Sequence, residues 1–190
     1  IEYEALGLRL IENSGHTPHM YYYDNSKKYL DHGVLIEEFL PGGGLDIEND
    51  EHLAATARAL AEVHAVNVGS DTHLIDPGNS LAAIIEESEQ MVKIYMDSDL
   101  GDDVIKRRIR RLLDRGWEMI EGISDGDIYR CCINTDVNST NFLADEQDEN
   151  GCKVYVIDWE KPLYGDPAQD LGHFLTPTTS FWKTDVIWDR

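Results

Sequence analysis

Three polar residues, Asp136, Asn141 and Asp158, have the types and spacing to do chemistry. The first two lie in "NTDVNSTNFL", residues 134 to 143, with the Asn five places after the Asp. The third ends the apolar run "CKVYVIDWE". A carboxylate and an amide oxygen suit a hard cation such as Mg²⁺, which keeps several waters and takes one or two carboxylates plus phosphate oxygens. A second carboxylate, free of the metal, can accept or orient a hydroxyl proton. Together these are the parts of a phosphoryl-transfer site. Taken singly, each residue also has an ordinary use in a turn or loop cap. Their order and spacing favour the joint reading.

Such residues need a frame. "FLA" and "KVYVI" read as two short strands, with the acidic "DEQDENG" between them as a hairpin loop. The start of the first strand and the end of the second then share one edge, which brings Asp136, Asn141 and Asp158 together. Around this unit, "EYEALGLRLIEN" reads as a helix, with Leu6, Leu10 and Ile11 at helical spacing and "SG" as a stop. "HMYYYD" and "VLIEEFL" read as strands of an antiparallel pair, followed by the breaker "PGGG". From Ile47 to Val66 the spacing predicts a helix with Leu53, Ala57, Leu60 and Val63 on one face and Asp46 or Asn49 as its cap. "NSLAAIIEESEQMVKIYM" and "DDVIKRRIRRLLDRGWEMI" predict two more helices, and "DPAQDLGHFL" a last one with Pro167 in its first turn. The class is α+β, with a β segment embedded among helices.

Composition narrows the possibilities. A chain of 190 residues with 42% hydrophobic content can bury a sizeable core. No apolar run is long enough to span a membrane, and the first residues lack the basic start of a signal peptide. Cys131, Cys132 and Cys152 form no CxxC pair, which argues against a disulfide scaffold and fits a reducing cytoplasm. The formal net charge is -21. Phosphate backbones would be repelled, so a nucleic-acid partner is not expected. Carboxylates spread along the whole chain point to a halophilic surface, adapted to salt that screens charge within a few ångströms.

The motifs resemble those of the aminoglycoside phosphotransferase and choline kinase family, whose fold is similar to that of protein kinases. "NTDVNSTN" fills the place of the family's H-x-D-x-x-x-x-N catalytic loop. The run from Val156 to Glu160 matches its second acidic motif, and "GDPAQDLGHF" from Gly165 to Phe174 its GDP-x-x-DL stretch. "VLIEEFLPGGGL" resembles the hinge segment, and "ALAEVHAVN" the helix soon after it. The resemblance implies an ATP-dependent kinase acting on a hydroxyl of a small molecule. Asp136 would be the base, and Asn141 and Asp158 would hold Mg²⁺. Glu37, Glu38 and Phe39 would offer backbone groups to adenine. Glu2 stands where the family has a Glu that pairs with an ATP-binding Lys, with Glu4 close by. Asp166 and Asp170 would hold the catalytic loop or cap a helix, and His64 and His173 would be structural. Acceptor specificity would come from the helices after the hinge and from the C-terminal region. The carboxylates Asp136, Glu160 and Asp166 would suit a cationic acceptor such as an amino sugar or amino alcohol. In a chain this acidic, however, that signal is weak.

The pattern departs from the family in two respects. Asn134 stands where the family usually has His. The Gly-rich loop and strand Lys that should precede the first helix do not occur in these residues. The resemblance therefore implies that residues 1–40 are a remnant of the N-terminal lobe (helix, two strands and hinge). Residues 41–190 would be the C-terminal lobe, cut short at its end, and the piece alone should bind ATP poorly. A non-catalytic, kinase-like binding protein is the alternative reading. An EF-hand is excluded, because Asn141 occupies the loop's glycine position and Gln147 the place of its final Glu. In "TPTTSFWKTD", Phe181 and Trp182 are expected to pack in the core rather than line a pocket.

Overall fold

The computed structural model describes residues 1–69 and 71–176. Phe181 and Trp182 lie outside the described residues. The chain divides into two compact units, one formed by Ile1–Asp76 with the residues from Arg130 on, the other by Pro77–Tyr129.

In the first unit, helix α1 (Glu2–Ile11) buries Ala5, Gly7, Leu8 and Ile11. It ends in a 3₁₀ turn closed by Gly15 at φ 72°, the left-handed stop expected of "SG". Strands β1 (Met20–Asp24) and β2 (Val34–Glu37) form the expected antiparallel pair. The breaker segment holds a further strand. β3 (Gly43–Gly44) pairs with β5 (Phe142–Asp145), which pairs with β6 (Lys153–Val156). Gly42 makes this close approach possible. Its φ is 106°, and a Cβ there would meet the Ala144 carbonyl oxygen at 2.5 Å. Strand β4 (Cys131–Ile133) pairs with β7 (Leu163–Gly165), a three-residue strand that no sequence pattern announced.

Helix α2 (Asp50–His64) is capped by Asn49, whose side chain accepts from the Glu51 N–H. Its buried face differs in phase from the expected one. His52, Ala55, Thr56, Ala59, Leu60, Val63 and His64 are buried, while Leu53 is only half-buried and Ala57 is exposed. The small Ala55 and Ala59 let the helix lie close to β6, and that packing sets the phase in place of the largest apolar side chains. The core collects Leu8, Ile11, Val63, Val137, Phe142, Val154, Val156 and Trp159. The last described helix of this unit, α5 (Ala168–Phe174), begins after Pro167.

The second unit is an α-hairpin of α3 (Ser80–Asp97) and α4 (Asp103–Ile120), capped by the side chains of Asn79 and Asp102. Among the described residues no helix is long and apolar enough to cross a membrane. The three cysteines are unpaired and buried, and burial pushes the Cys131 thiol up to about 12.

Candidate active site

The β5–β6 hairpin has the register that the site requires. Phe142 pairs with Val156 and Asp145 with Lys153, so the turn lies at one end and residues 141 and 157 meet at the other. The Ile157 N–H donates to the Asn141 carbonyl at 2.9 Å. Trp159 is buried, and its indole N–H donates to the Val156 carbonyl at 3.0 Å, which anchors the chain beyond Asp158.

The loop from Asn134 to Asn141 is held by its own polar groups. Asn134 is buried, and its side chain links two of the candidate residues. Its Nδ2 donates to the Asp158 carbonyl at 2.9 Å and its Oδ1 accepts from the Asp136 N–H at 2.9 Å. Asn in place of the family's His thus makes a direct tether between the two acidic positions. Asp170, fully buried, accepts the N–H groups of Asn134 and Thr135 at 2.9 and 2.8 Å, and His64 Nε2 lies 2.9 Å from it. Asp166 accepts the Ala168 N–H at 2.8 Å from one residue before the N-cap Pro167, an Asx turn at the entry to α5. Asp170 as loop holder and His64 as a satisfied buried group agree with the sequence reading, whereas Asp166 makes a turn and is not the cap.

Two non-glycine residues here have left-handed backbone, Thr135 at φ 71° and Asp158 at φ 61°. Such conformations cost free energy, more so for a β-branched residue, and persist only where the surroundings enforce them. At Thr135 every polar group is engaged. The N–H binds Asp170, Oγ1 donates to the Lys161 carbonyl at 2.9 Å, and the carbonyl accepts from His173 Nδ1 at 2.8 Å.

The half-buried Asp136 carboxylate is bordered by two amides. Asn138 Nδ2 donates to Oδ1 at 3.1 Å, and Asn141 Nδ2 lies 3.4 Å from Oδ2 and donates to the Asp136 carbonyl at 2.8 Å. Both partners of Asn141 Nδ2 are oxygens that only accept, so Oδ1 of Asn141 is turned away from Asp136, as a cation ligand would have to be. Asn138 was not singled out by sequence reasoning. An Asx residue two places after another signals only a turn.

The electrostatics share one sign. The Asp158 carboxyl is pushed above its ordinary range by partial desolvation, then by Glu160 and Asp136. Glu4 is raised by burial, with Asp158 and Glu160 adding to the effect, and Glu37 by burial, then Glu4 and Asp158. Ionised carboxylates therefore crowd the hairpin's open end, as they do where a cation is meant to sit. Among the described residues no three His, Cys, Asp or Glu side chains form a metal cage. Mg²⁺ needs none, since it binds through one or two protein oxygens, phosphates and water.

The four expected nucleotide residues divide. Glu37 ends β2, and the Glu38 N–H is already committed to the His19 carbonyl at 2.8 Å. Phe39 is 96% exposed. Glu2 accepts from Asn25 Nδ2 at 3.2 Å, whereas Glu4 is the α1 carboxylate raised by burial and by Asp158 and Glu160. A cavity of about 540 Å³ lined by His16, Arg58, Glu62 and Lys153 lies at the turn end of the hairpin, away from this site.

The fold and site define a protein-kinase-like α+β protein. The phosphotransferase enzyme family model matches residues 4–186, and the chain belongs to that family. An ethanolamine kinase of Plasmodium vivax matches with a TM-score of 0.64 at 18% identity, over 97% of this chain and 52% of its own. A candidate aminoglycoside phosphotransferase of Ralstonia eutropha matches at 0.67 and 22%, over 91% and 53%. An aminoglycoside phosphotransferase of Alicyclobacillus acidocaldarius matches at 0.58 and 17%, over 90% and 56%. The chain spans about half the length of these solved structures. No curated protein matches it.

Proposed function

We propose that this chain carries the catalytic site of an ATP-dependent small-molecule kinase. Asp136 takes or orients the proton of the acceptor hydroxyl. That oxygen then attacks the γ-phosphorus of ATP, the bond to the β-phosphate oxygen breaks, and ADP leaves. Asn141 Oδ1 and the Asp158 carboxylate would hold Mg²⁺, which would supply charge neutralisation at the phosphates. The observation that carries this reading is the crowd of carboxylates at the hairpin's open end, where partial desolvation, then Glu160 and Asp136, push Asp158 up. A bound cation would reverse that effect.

Several finer assignments follow. Residues 1–40 supply a helix, two strands and a hinge, and residues 41–190 the catalytic lobe. Glu4, rather than Glu2, is the α1 carboxylate suited to a phosphate-binding Lys, because it is partly buried and close enough to Asp158 and Glu160 to be raised by them. At the hinge Glu37 and Phe39 fit adenine better than Glu38, whose N–H is already engaged. The acceptor is a cationic alcohol, by the names of the similar structures, an ethanolamine kinase and an aminoglycoside phosphotransferase. The test, on the full-length protein, is ADP release from Mg²⁺·ATP with ethanolamine, choline and kanamycin. One acceptor should stimulate turnover, and Asp136→Asn should abolish it. An Asp136→Asn variant as fast as the parent would remove Asp136 from the chemistry.

A further inference from the structure

We propose that Asn138 is a positioning residue for Asp136, and that Thr140 sets the direction of its amide. Asn138 Nδ2 donates to Asp136 Oδ1 at 3.1 Å and lies 3.5 Å from the Asp136 carbonyl. On the other branch, Asn138 Oδ1 accepts from the Thr140 N–H at 2.9 Å and from the Thr140 hydroxyl. A backbone N–H can only donate, so the branch turned to Thr140 is the oxygen. An ionised carboxylate can only accept, so the branch turned to Asp136 is the nitrogen. One amide orientation alone satisfies both ends, and Thr140 thereby aims a donor at Asp136.

This donor meets a need of the site. The Asp136 side chain is 45% exposed, so packing does not hold its carboxylate at one angle. The main chain at 136 is fixed through its N–H by Asn134 and through its carbonyl by Asn141 and the Asn138 N–H. None of these bonds stops the carboxylate from rotating. Asn141 Nδ2 stands 3.4 Å from Oδ2, past the usual hydrogen-bond range, and spends its better bond on the carbonyl. Among the described residues Asn138 therefore makes the shortest bond that this carboxylate receives. Asn138 also has an ordinary use, since its Oδ1 caps the 3₁₀ turn Ser139–Asn141. That cap needs only an oxygen, and Ser or Asp would serve there as well. The nitrogen is surplus to the turn, and it is the atom that meets Asp136. Displacement of a reacting group by about 1 Å can cost roughly 100-fold in rate, so this restraint acts on turnover more than on substrate binding.

The inference rests on Asp136 being the base, and the test, on the full-length protein, separates the two. Asn138→Ser keeps a neutral capping oxygen and loses the donor to Asp136. Asn138→Ala loses both. With Mg²⁺·ATP and the stimulating acceptor, each should lower kcat about 10- to 100-fold, with the KM values for ATP and acceptor unchanged within about twofold. Asn138→Ser should keep the parent's Tm, whereas Asn138→Ala should lower it through the lost cap. Thr140→Val, which keeps the N–H and removes the hydroxyl, should lower kcat in the parent but not in Asn138→Ala, because the two residues act through one bond. A readout independent of turnover is the Asn138 side-chain NH₂ signal in ¹H–¹⁵N spectra, identified by its loss in Asn138→Ser. Asp136→Asn should move it. The proposal is overturned by Asn138→Ser with the parent's kcat, which would leave Asn138 as a cap alone, or by an NH₂ signal that ignores Asp136→Asn. A Thr140→Val effect of equal size in both backgrounds overturns the part given to Thr140. If Asp136→Asn itself turns over normally, the base assignment fails first. If Asp136→Asn is inactive and Asn138→Ser is as fast as the parent, the Asn138 proposal fails alone.

Discussion

The catalytic-loop region and the α3–α4 hairpin are built to opposite standards. Around the loop, Ile133, Val137, Phe142, Val154 and Val156 are fully buried, Trp159 is nearly so, and the polar Asn134 and Asp170 among them are hydrogen-bonded. In the α-hairpin, Ser80 is the one buried residue of α3 and α4 has none. Met91, Ile94 and Leu112 are more than half exposed. A site that must hold three polar groups in place, with left-handed backbone at Thr135 and at Asp158 itself, needs dense surroundings that cannot relax. The α-hairpin buries little, so most of its side chains can change at little cost in stability.

Substitutions sharpen the contrast. The largest effects belong to the loop's foundations. Trp159→Ala should cost about 3–5 kcal/mol by leaving a cavity and losing its anchor to Val156. Asp170→Ala should cost a similar amount, roughly 3–5 kcal/mol, by stranding buried donors. Both are readable by urea unfolding. Asn134→Ala should cost less, about 1–3 kcal/mol, since it strands the Asp136 N–H and the Asp158 carbonyl. It should also lower turnover beyond its effect on stability. If the α-hairpin is as tolerant as its exposure indicates, Ile94→Ala and Leu112→Ala should each stay within about 0.5 kcal/mol of the parent. Losses there as large as those at the loop would erase the distinction.

Asp158→Asn should act in the opposite direction, stabilising the protein while abolishing turnover. Its carboxyl has a folded-state pKa above the ordinary value. The stability linked to a raised carboxylate is present below the ordinary range, near pH 4, and is lost as pH rises through the folded value. At pH 7 the charge therefore opposes folding. Asn removes that charge and also tolerates the left-handed backbone at 158 better than most residues. The variant's Tm should exceed the parent's at pH 7, and the difference should shrink toward pH 4. Mg²⁺ should raise the parent's Tm more than the variant's. A lower Tm for Asp158→Asn at pH 7 would contradict the claim that the charge, through desolvation and then Glu160 and Asp136, opposes folding.

Much of this was legible in the sequence, and the gaps have physical reasons. The β5–β6 frame could be read because alternating apolar residues flank an acidic turn, and the loop because Asp136 and Asn141 keep the family's spacing. β3 could not be read, since Gly43 and Gly44 have no side chains to form a pattern. β7 escaped because three residues after Pro162 are too few to show a period. The phase of α2 was misread because Ala55 and Ala59 are buried for their smallness, whereas apolar periodicity weights the large residues. Glu2 and Glu4 are two places apart on a helix, so they point in widely different directions, and the choice between them needed the position of Asp158. His173 lies 38 residues from Thr135, and nothing in its own segment shows which loop α5 packs against.

The central claim is that Asn141 and Asp158 share one divalent cation beside Asp136. Mn²⁺ can replace Mg²⁺ and broadens NMR signals close to it. With a non-hydrolysable ATP analogue and enough salt to screen the acidic surface, Mn²⁺ should broaden the amides of Asn141 and Asp158 first, and Asp158→Asn should weaken the effect. Broadening that begins instead at the acidic β5–β6 turn, around Asp145 and Asp148, and ignores Asp158→Asn would contradict it.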